Sequence, residues 1–286
     1  MSTTSVATDL RLARLSLNQR TCAEWTLREA IDGCVSAGLS SLGVWREPVA
    51  DVGLETARRW VEESGLRVSS VCRGGFLTMP EGSARQESLD SNRAAIEETA
   101  TLGAPTLVLV PGGLPEGDRD IDGARGRFLD GVATLVPDAE AAGVVLAIEP
   151  MHPIFAADRG VVSTLEQALD MAEQFPAAAV GVVVDTFHLW WEPGVEQQIA
   201  RAGDRIASYQ ISDWITPLPP DALLSRGMVG DGHIDFEAFT RWVARTGYAG
   251  DVEVEIFNAD VWATPGAEVV ATMSERYLER VQPWLG

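Results

Sequence analysis

The chain has 286 residues, of which 46% are hydrophobic, and a formal net charge of −20. A surface this acidic repels phosphate backbones, so the charge argues against a nucleic-acid partner. No apolar run approaches the roughly 20 residues of a membrane span, which argues against a membrane partner.

The N-terminal segment M-S-T-T-S-V-A-T-D-L has neither a basic start nor an apolar core, so we do not expect export. The three cysteines, Cys22, Cys34 and Cys72, show no metal-ligand spacing. An odd number of such cysteines is typical of a reducing compartment. We therefore expect a cytoplasmic protein.

Eight apolar segments alternate with eight segments of helical periodicity along the chain. The predicted strands are Leu10–Asn18, Ser41–Trp45, Leu66–Cys72, Thr106–Val110, Val144–Ile148, Val180–Val184, Ile206–Ile211 and Asp251–Ile256. The predicted helices are Trp25–Ala37, Leu54–Ser64, Ser88–Leu102, Ile121–Ala142, Thr164–Gln174, Val195–Ala202, Phe236–Thr246 and Ala267–Val281. Such alternation is typical of parallel strands joined by crossover helices. Eight units in a chain of this length predict a single α/β domain over residues 1–286, a (β/α)8 TIM barrel.

Oxygen-bearing side chains end four consecutive predicted strands, the fifth to the eighth. They are Glu149, Asp185, Gln210 and Glu255. Active sites of such barrels form at the carboxyl ends of the strands, so these side chains are expected to meet there. One of them alone could be a helix cap. Three carboxylates together would repel one another in a dry site, and a divalent cation is the simplest remedy. The pattern therefore predicts a metal site.

Several strings around these residues resemble one family. I-E-P-M-H-P, V-V-D-T-F-H, Q-I-S-D-W, R-G-M-V-G-D-G-H-I-D-F and V-E-V-E-I-F look like the xylose isomerase-like TIM barrels, and most like their sugar phosphate isomerase/epimerase group. The resemblance spans the whole barrel and is strongest from about Val144 to Pro265.

The resemblance implies roles for individual residues. It implies that Glu149 and Glu255 bind the metal and act as acid and base, and that Asp185 is a third metal carboxylate. His188 and Arg226 match substrate-binding residues.

At Gln210 the chain departs from the family, which commonly has a histidine there. Three carboxylates and an amide oxygen suit Mn²⁺ or Mg²⁺ better than Zn²⁺.

Weaker candidates for substrate binding lie nearby. His152 is interpreted as a substrate contact or as a residue that fixes its own loop. Asp213 is interpreted as a partner of a ligand or of Arg226, or as a cap. Trp45 and Arg73, at the ends of the second and third strands, are expected in the pocket wall. Glu253 shares a strand face with Glu255, so either of the two could face the site.

The resemblance implies a divalent-metal isomerase or epimerase that acts on a sugar, keto-sugar or polyol in carbohydrate metabolism. The proton next to a carbonyl would move through a metal-stabilised enediolate. A metal-dependent lyase or dehydratase on a keto-cyclitol or keto-glycoside would use the same groups. A non-catalytic barrel subunit is the alternative outside enzymes, since Gln210 departs from the family. A DNA-repair endonuclease is disfavoured by the charge and by only three histidines. The sequence leaves a homo-oligomer open.

Overall fold

Eight parallel strands close into a barrel. The computed structural model describes residues 9–286, so most of the N-terminal segment on which the expectation of no export rests lies outside it. The barrel strands are β1 Leu15–Asn18, β2 Ser41–Trp45, β3 Arg67–Gly75, β4 Thr106–Val110, β5 Val145–Ile148, β6 Val180–Asp185, β7 Ile206–Ile211 and β10 Val252–Val254. Their order around the barrel is β1-β10-β7-β6-β5-β4-β3-β2. Two further strands, β8 Asp213–Trp214 and β9 Arg226–Gly227, pair antiparallel as a separate ribbon. The closed barrel confirms the predicted fold class.

Helices cover the outside of the barrel. They are α1 Leu27–Ser36, α2 Arg46–Val52, α3 Leu54–Ser64, α4 Ser83–Thr101, α5 Ile121–Ala142, α6 Leu165–Ala172, α7 Thr186–Leu189, α8 Val195–Ala202, α9 Phe236–Arg245, α10 Ala259–Trp262 and α11 Gly266–Arg280. The main apolar core lies between these helices and the strands, while a smaller cluster around Val108, Ala147 and Val183 fills the barrel interior. No helix between residues 9 and 286 combines the length and the apolar composition that a membrane span requires.

Strand register brings the polar residues of neighbouring strands side by side. Asp185 on β6 pairs with Gln210 on β7, and Gln210 pairs in turn with Glu253 on β10. These residues therefore lie next to one another within the barrel, although they are far apart in sequence.

The first predicted strand, Leu10–Asn18, was too long. Leu10–Leu12 forms a 3-10 turn, because the side chain of Asp9 accepts a hydrogen bond from the Arg11 amide at 3.0 Å and caps it. Strand β1 begins only at Leu15. Strong local capping thus overrides a loose apolar alternation.

Other departures lie near the strand ends. Strand β3 continues to Gly75, three residues beyond its predicted end, and β10 is shorter than predicted. Helix α2 and the β8–β9 ribbon were not predicted, because both are too short to show a clear period. The ribbon is relevant to the candidate site because Arg226 lies on it.

Candidate active site

Two glutamates and one aspartate lie at the same mouth of the barrel. Glu149 directly follows β5, Asp185 ends β6 and Glu255 directly follows β10. All three are buried, with exposures of 4%, 0% and 4%. The Glu149 amide donates to the Leu109 carbonyl at 3.0 Å, and the Glu255 amide donates to the Ile211 carbonyl at 3.2 Å. The barrel backbone therefore fixes both glutamates.

A cavity of about 210 Å³ opens at this mouth. Six residues that were predicted from the sequence line it: Trp45, Arg73, Glu149, His188, Arg226 and Glu255. Because active sites of this fold lie at the carboxyl ends of the strands, this cavity is the candidate active site.

Arg226 places a cation among the carboxylates. Its Nη1 donates to Asp185 Oδ2 at 2.7 Å and to Ser212 Oγ at 3.0 Å. Its Nη2 lies 3.3 Å from a carboxylate oxygen of Glu255, and its guanidinium packs over the Phe187 ring. Hydrogen-bonded ion pairs of this kind are strong and hold the planar guanidinium in one orientation.

His188 presents a donor to the same place. The backbone amide of His152 donates to its Nδ1 at 3.1 Å, and burial together with Arg226 keeps the His188 pKa well below its ordinary value. The ring is therefore neutral and carries its proton on Nε2. That nitrogen lies 3.0 Å from Arg226 Nη2 and 3.8 Å from Glu149 Oε1. Two N–H donors thus converge on one point, an arrangement suited to a substrate oxygen.

The same tautomer bears on metal binding. One ligand atom each of Glu149, Asp185 and His188 lie within 4.8 Å of one another, so this group could hold a metal ion. A protonated Nε2 has no free lone pair, however, so we interpret His188 as a substrate contact rather than a ligand.

Gln210 has one free polar atom. Its amide nitrogen donates to Glu253 Oε1 at 3.3 Å, whereas its Oε1 is buried and has no hydrogen-bond partner within residues 9–286. Glu253 also accepts bonds from Asn18 at 2.7 Å, from Ser69 at 2.5 Å and from Ser70 at 2.9 Å. Glu253 is thus fully engaged below the cavity, while Glu255 lines it. The bond that the Gln210 amide nitrogen donates to Glu253 orients the amide so that its oxygen remains available.

Burial dominates the electrostatics of the cluster. It raises the pKa of Glu149 well above its ordinary value, and the charges of Glu255 and Asp185 raise it further. Burial raises the pKa of Glu255 to about 8, although Arg226 opposes the shift. The Asp185 pKa is raised by burial in the same way. One arginine therefore does not compensate three carboxylates in this dry site.

These features fit a divalent cation. Such an ion would offset the excess negative charge and would give the orphaned oxygen of Gln210 a partner. Carboxylate and amide oxygens are hard donors, the type that Mg²⁺ and Mn²⁺ prefer.

Four predicted site residues do not line the cavity: Asp185, Gln210, Asp213 and His152. Asp185 and Gln210 are fully buried on neighbouring strands. Asp213 is buried, and its carboxylate accepts bonds from four backbone amides of its own loop. It therefore fastens the loop that carries Arg226 and has no oxygen free for substrate. His152 packs against Trp191 and Trp214, and its Nδ1 accepts a bond from the Ile154 amide at 3.2 Å.

Two other charged residues of the cavity were not predicted from the sequence. Arg20 and Arg159 line the cavity together with Arg73, which was expected there. Arg20 follows β1 by two residues, so its position after a strand was a usable signal. Arg159 lies in a loop after β5, at a distance from the strand that gives no such signal.

The model of the xylose isomerase-like TIM barrel family matches residues 31–279. The chain belongs to this family. The L-ribulose-5-phosphate 3-epimerase UlaE of Salmonella typhi is 25% identical over 214 residues, which cover 73% of this chain and 71% of the relative.

Solved structures share the fold. A protein of Sinorhizobium meliloti 1021, SMc04130, is 46% identical with a TM-score of 0.91, over 94% of this chain and 98% of its own. The IolI protein, which was solved with a bound zinc atom, is 22% identical with a TM-score of 0.83, over 95% and 99% of the two chains. At that identity IolI supports the fold alone.

Metal affinity should depend on pH. Below the Glu255 pKa of about 8 this carboxyl holds a proton that a metal must displace. The apparent affinity for Mn²⁺ should therefore rise with pH, by up to about tenfold per unit for each proton displaced, and level off above pH 8. Titration calorimetry at pH 6.5 and 8.5 measures this. Equal affinity at both values would contradict the expectation, and no binding of Mn²⁺ or Mg²⁺ at either would contradict a metal site.

Gln210→His should tighten metal binding by about tenfold or more, because an imidazole nitrogen is a stronger ligand than an amide oxygen. Gln174→His, a change at an exposed position, controls for the added histidine. Calorimetric titration of both variants with Mn²⁺ and Zn²⁺ measures the effect. If Gln210→His binds no more tightly than Gln174→His, then Gln210 is not a ligand.

Proposed function

We propose that this protein is a divalent-metal-dependent epimerase or isomerase of a keto-sugar, with Glu149 and Glu255 as its acid/base pair. One observation carries the proposal: both buried carboxyls line the same cavity, and the pKa of each is raised. Their strands, β5 and β10, are three positions apart in the ring of eight, so the two groups approach a bound molecule from different sides.

Glu149, Asp185, Gln210 and Glu255 are the residues that would hold the ion. The excess negative charge of the carboxylates and the unpartnered oxygen of Gln210 support this set. Mn²⁺ or Mg²⁺ is favoured over Zn²⁺ because all four donor atoms are oxygens. When bound, the ion supplies electrostatic stabilisation to a substrate oxygen that becomes negatively charged.

Proton transfer is the work of the two glutamates. One takes the proton from the carbon next to the carbonyl, and the other returns a proton to the opposite face, which inverts that carbon. In the ion-free site, burial raises the pKa of both carboxyls toward neutral pH, a range in which a carboxyl can both release and accept a proton.

His188 and Arg226 face the oxygens of the substrate. Negative charge develops on these oxygens as the proton leaves, and the Nε2–H of His188 and the Arg226 guanidinium are fixed to meet it. Trp45 supplies an apolar wall, held by its indole N–H, which donates to Asn18 at 2.8 Å.

The relatives support this enzyme class. The curated relative reported above is named a 3-epimerase of a phosphorylated ketopentose, and 3-epimerisation is proton transfer next to a carbonyl. A cytoplasmic location remains part of the proposal, supported by three cysteines that are buried free thiols.

Exchange with solvent deuterium tests the reaction. With Mn²⁺ and a panel of keto-sugars in deuterated water, we expect deuterium at one carbon next to the carbonyl and an epimer or isomer as product. Mass spectrometry and proton NMR measure both. An alkene product instead would indicate the lyase, and no exchange with any sugar of the panel would contradict the proposal.

Glu149→Gln and Glu255→Gln should each lower turnover by at least about 100-fold, because an amide cannot transfer the proton. Glu192→Gln is the matched control, since it changes a buried glutamate that neither lines the cavity nor contacts the proposed metal ligands. We expect that control to retain far more turnover than the other two variants. Circular dichroism checks that each variant is folded. Retained turnover in both Glu149→Gln and Glu255→Gln would remove the proposed pair.

A further inference from the structure

Three arginines surround the mouth of the cavity from three different loops and strands. Arg20 follows β1, Arg73 lies on β3 and Arg159 follows β5, and all three line the cavity. Arg20 and Arg159 are about one-third exposed, at 32% and 34%, whereas Glu149 and Glu255 are buried at the base. Such a convergence of positive charge is unexpected in a chain with a net charge of −20.

Of the three arginines, only Arg73 has no carboxylate within salt-bridge distance among residues 9–286. Within residues 9–286 its guanidinium forms no salt bridge and no hydrogen bond, and it packs only over the Phe76 ring at 4.3 Å. Burial lowers its pKa, the charge of Glu47 opposes this shift, and the nearby charges of Arg159 and Arg20 add to it. A partly buried guanidinium repelled by two others is unfavourable unless an anion joins them.

The carboxylates near the mouth do not fill this role. Glu47 lies 3.4 Å from Arg20, and Asp158 lies 3.1 Å from Arg159, but both carboxylates are more than half exposed. Exposed pairs of this kind contribute little. The carboxylates at the base are already matched by Arg226 and, on the proposed function, by a divalent ion. Arg73 is therefore left with its five donors free for a ligand.

We infer that the substrate is a keto-sugar that carries a terminal oxyanion, either a phosphate ester or a carboxylate, and that Arg73, with Arg20 and Arg159 beside it, binds this group. The inference rests on the proposed function, since it places the reacting carbons at Glu149 and Glu255 in the same cavity. Guanidinium groups match both oxyanions through paired hydrogen bonds.

The dimensions of the cavity limit the rest of the substrate. About 210 Å³ is below the roughly 300–1,000 Å³ of typical small-molecule pockets, so one monosaccharide with its charged group is the expected occupant. The charged end would lie at the partly exposed arginines, and the carbonyl end at the buried glutamates.

A matched set of ketohexoses tests the inference. Fructose, fructose 6-phosphate and fructuronate share one carbon skeleton and differ at C6, which carries a hydroxyl, a phosphate ester or a carboxylate. Deuterium exchange with the Mn²⁺-loaded protein gives kcat/KM for each. We expect at least one charged sugar to exceed fructose by about tenfold or more, and the better of the two identifies the oxyanion.

Variants connect that preference to the arginines. Arg73→Gln should reduce the preference for the charged sugar, measured as the ratio of kcat/KM values, by about 10- to 100-fold. Arg73→Lys keeps the charge but loses the paired N–H donors of the guanidinium, so it should retain part of the preference. Arg159→Gln is a second variant in case Arg73→Gln does not fold. Arg28→Gln changes the net charge equally on the outer face of α1 and should keep the preference.

Calorimetry with inorganic phosphate on the same Mn²⁺-loaded proteins tests the anion site separately from the proposed epimerase or isomerase function. Exchange that is equally fast with fructose and insensitive to Arg73→Gln would overturn the anion site and leave the proposed function standing. Phosphate binding that Arg73→Gln weakens, without exchange into any sugar, would support the anion site and overturn the proposed function. Absence of both would overturn both.

Discussion

The burial of three carboxylates close together is the constraint on which the arrangement of this barrel mouth depends. Glu149, Asp185 and Glu255 lie in a site from which water is largely excluded, where ionised groups are costly unless cations face them. Arg226 meets two of them directly. Burial raises the pKa values of all three, and the remaining excess of negative charge makes the site receptive to a divalent ion. On the proposed function, metal affinity and acid/base chemistry would therefore share one origin, the burial of these carboxyls.

Supporting residues set the geometry of this cluster without touching a substrate. Glu253 orients the Gln210 amide, and the His152 amide sets the tautomer of His188. Strand register places Asp185 beside Gln210. Each of these contacts comes from a strand or from the residues just after one, where the backbone is rigid. Rigid support of this kind keeps catalytic groups oriented before the substrate arrives.

The sequence predicts the barrel well, because apolar β-branched runs such as Val180–Val184 are strong strand signals. It also brings Glu149, Asp185 and Glu255 to one end, since a polar residue that ends a buried strand must lie at the rim. It could not separate Asp213 from a substrate contact, because most of its partners are amides 17 to 21 residues further along the chain. Arg159 could not be predicted either, because its place in the cavity depends on the conformation of a long loop, and the sequence of that loop has no periodic pattern.

The bonds of Asp213 also bear on how this barrel can change. The ribbon that Asp213 holds places Arg226 at one end of the segment 215–225, and its strand pairing joins the two ends of that segment. Its residue Leu223 reaches the cavity. On the proposed function, a change in this segment would alter the wall of the cavity while the ribbon keeps Arg226 in position.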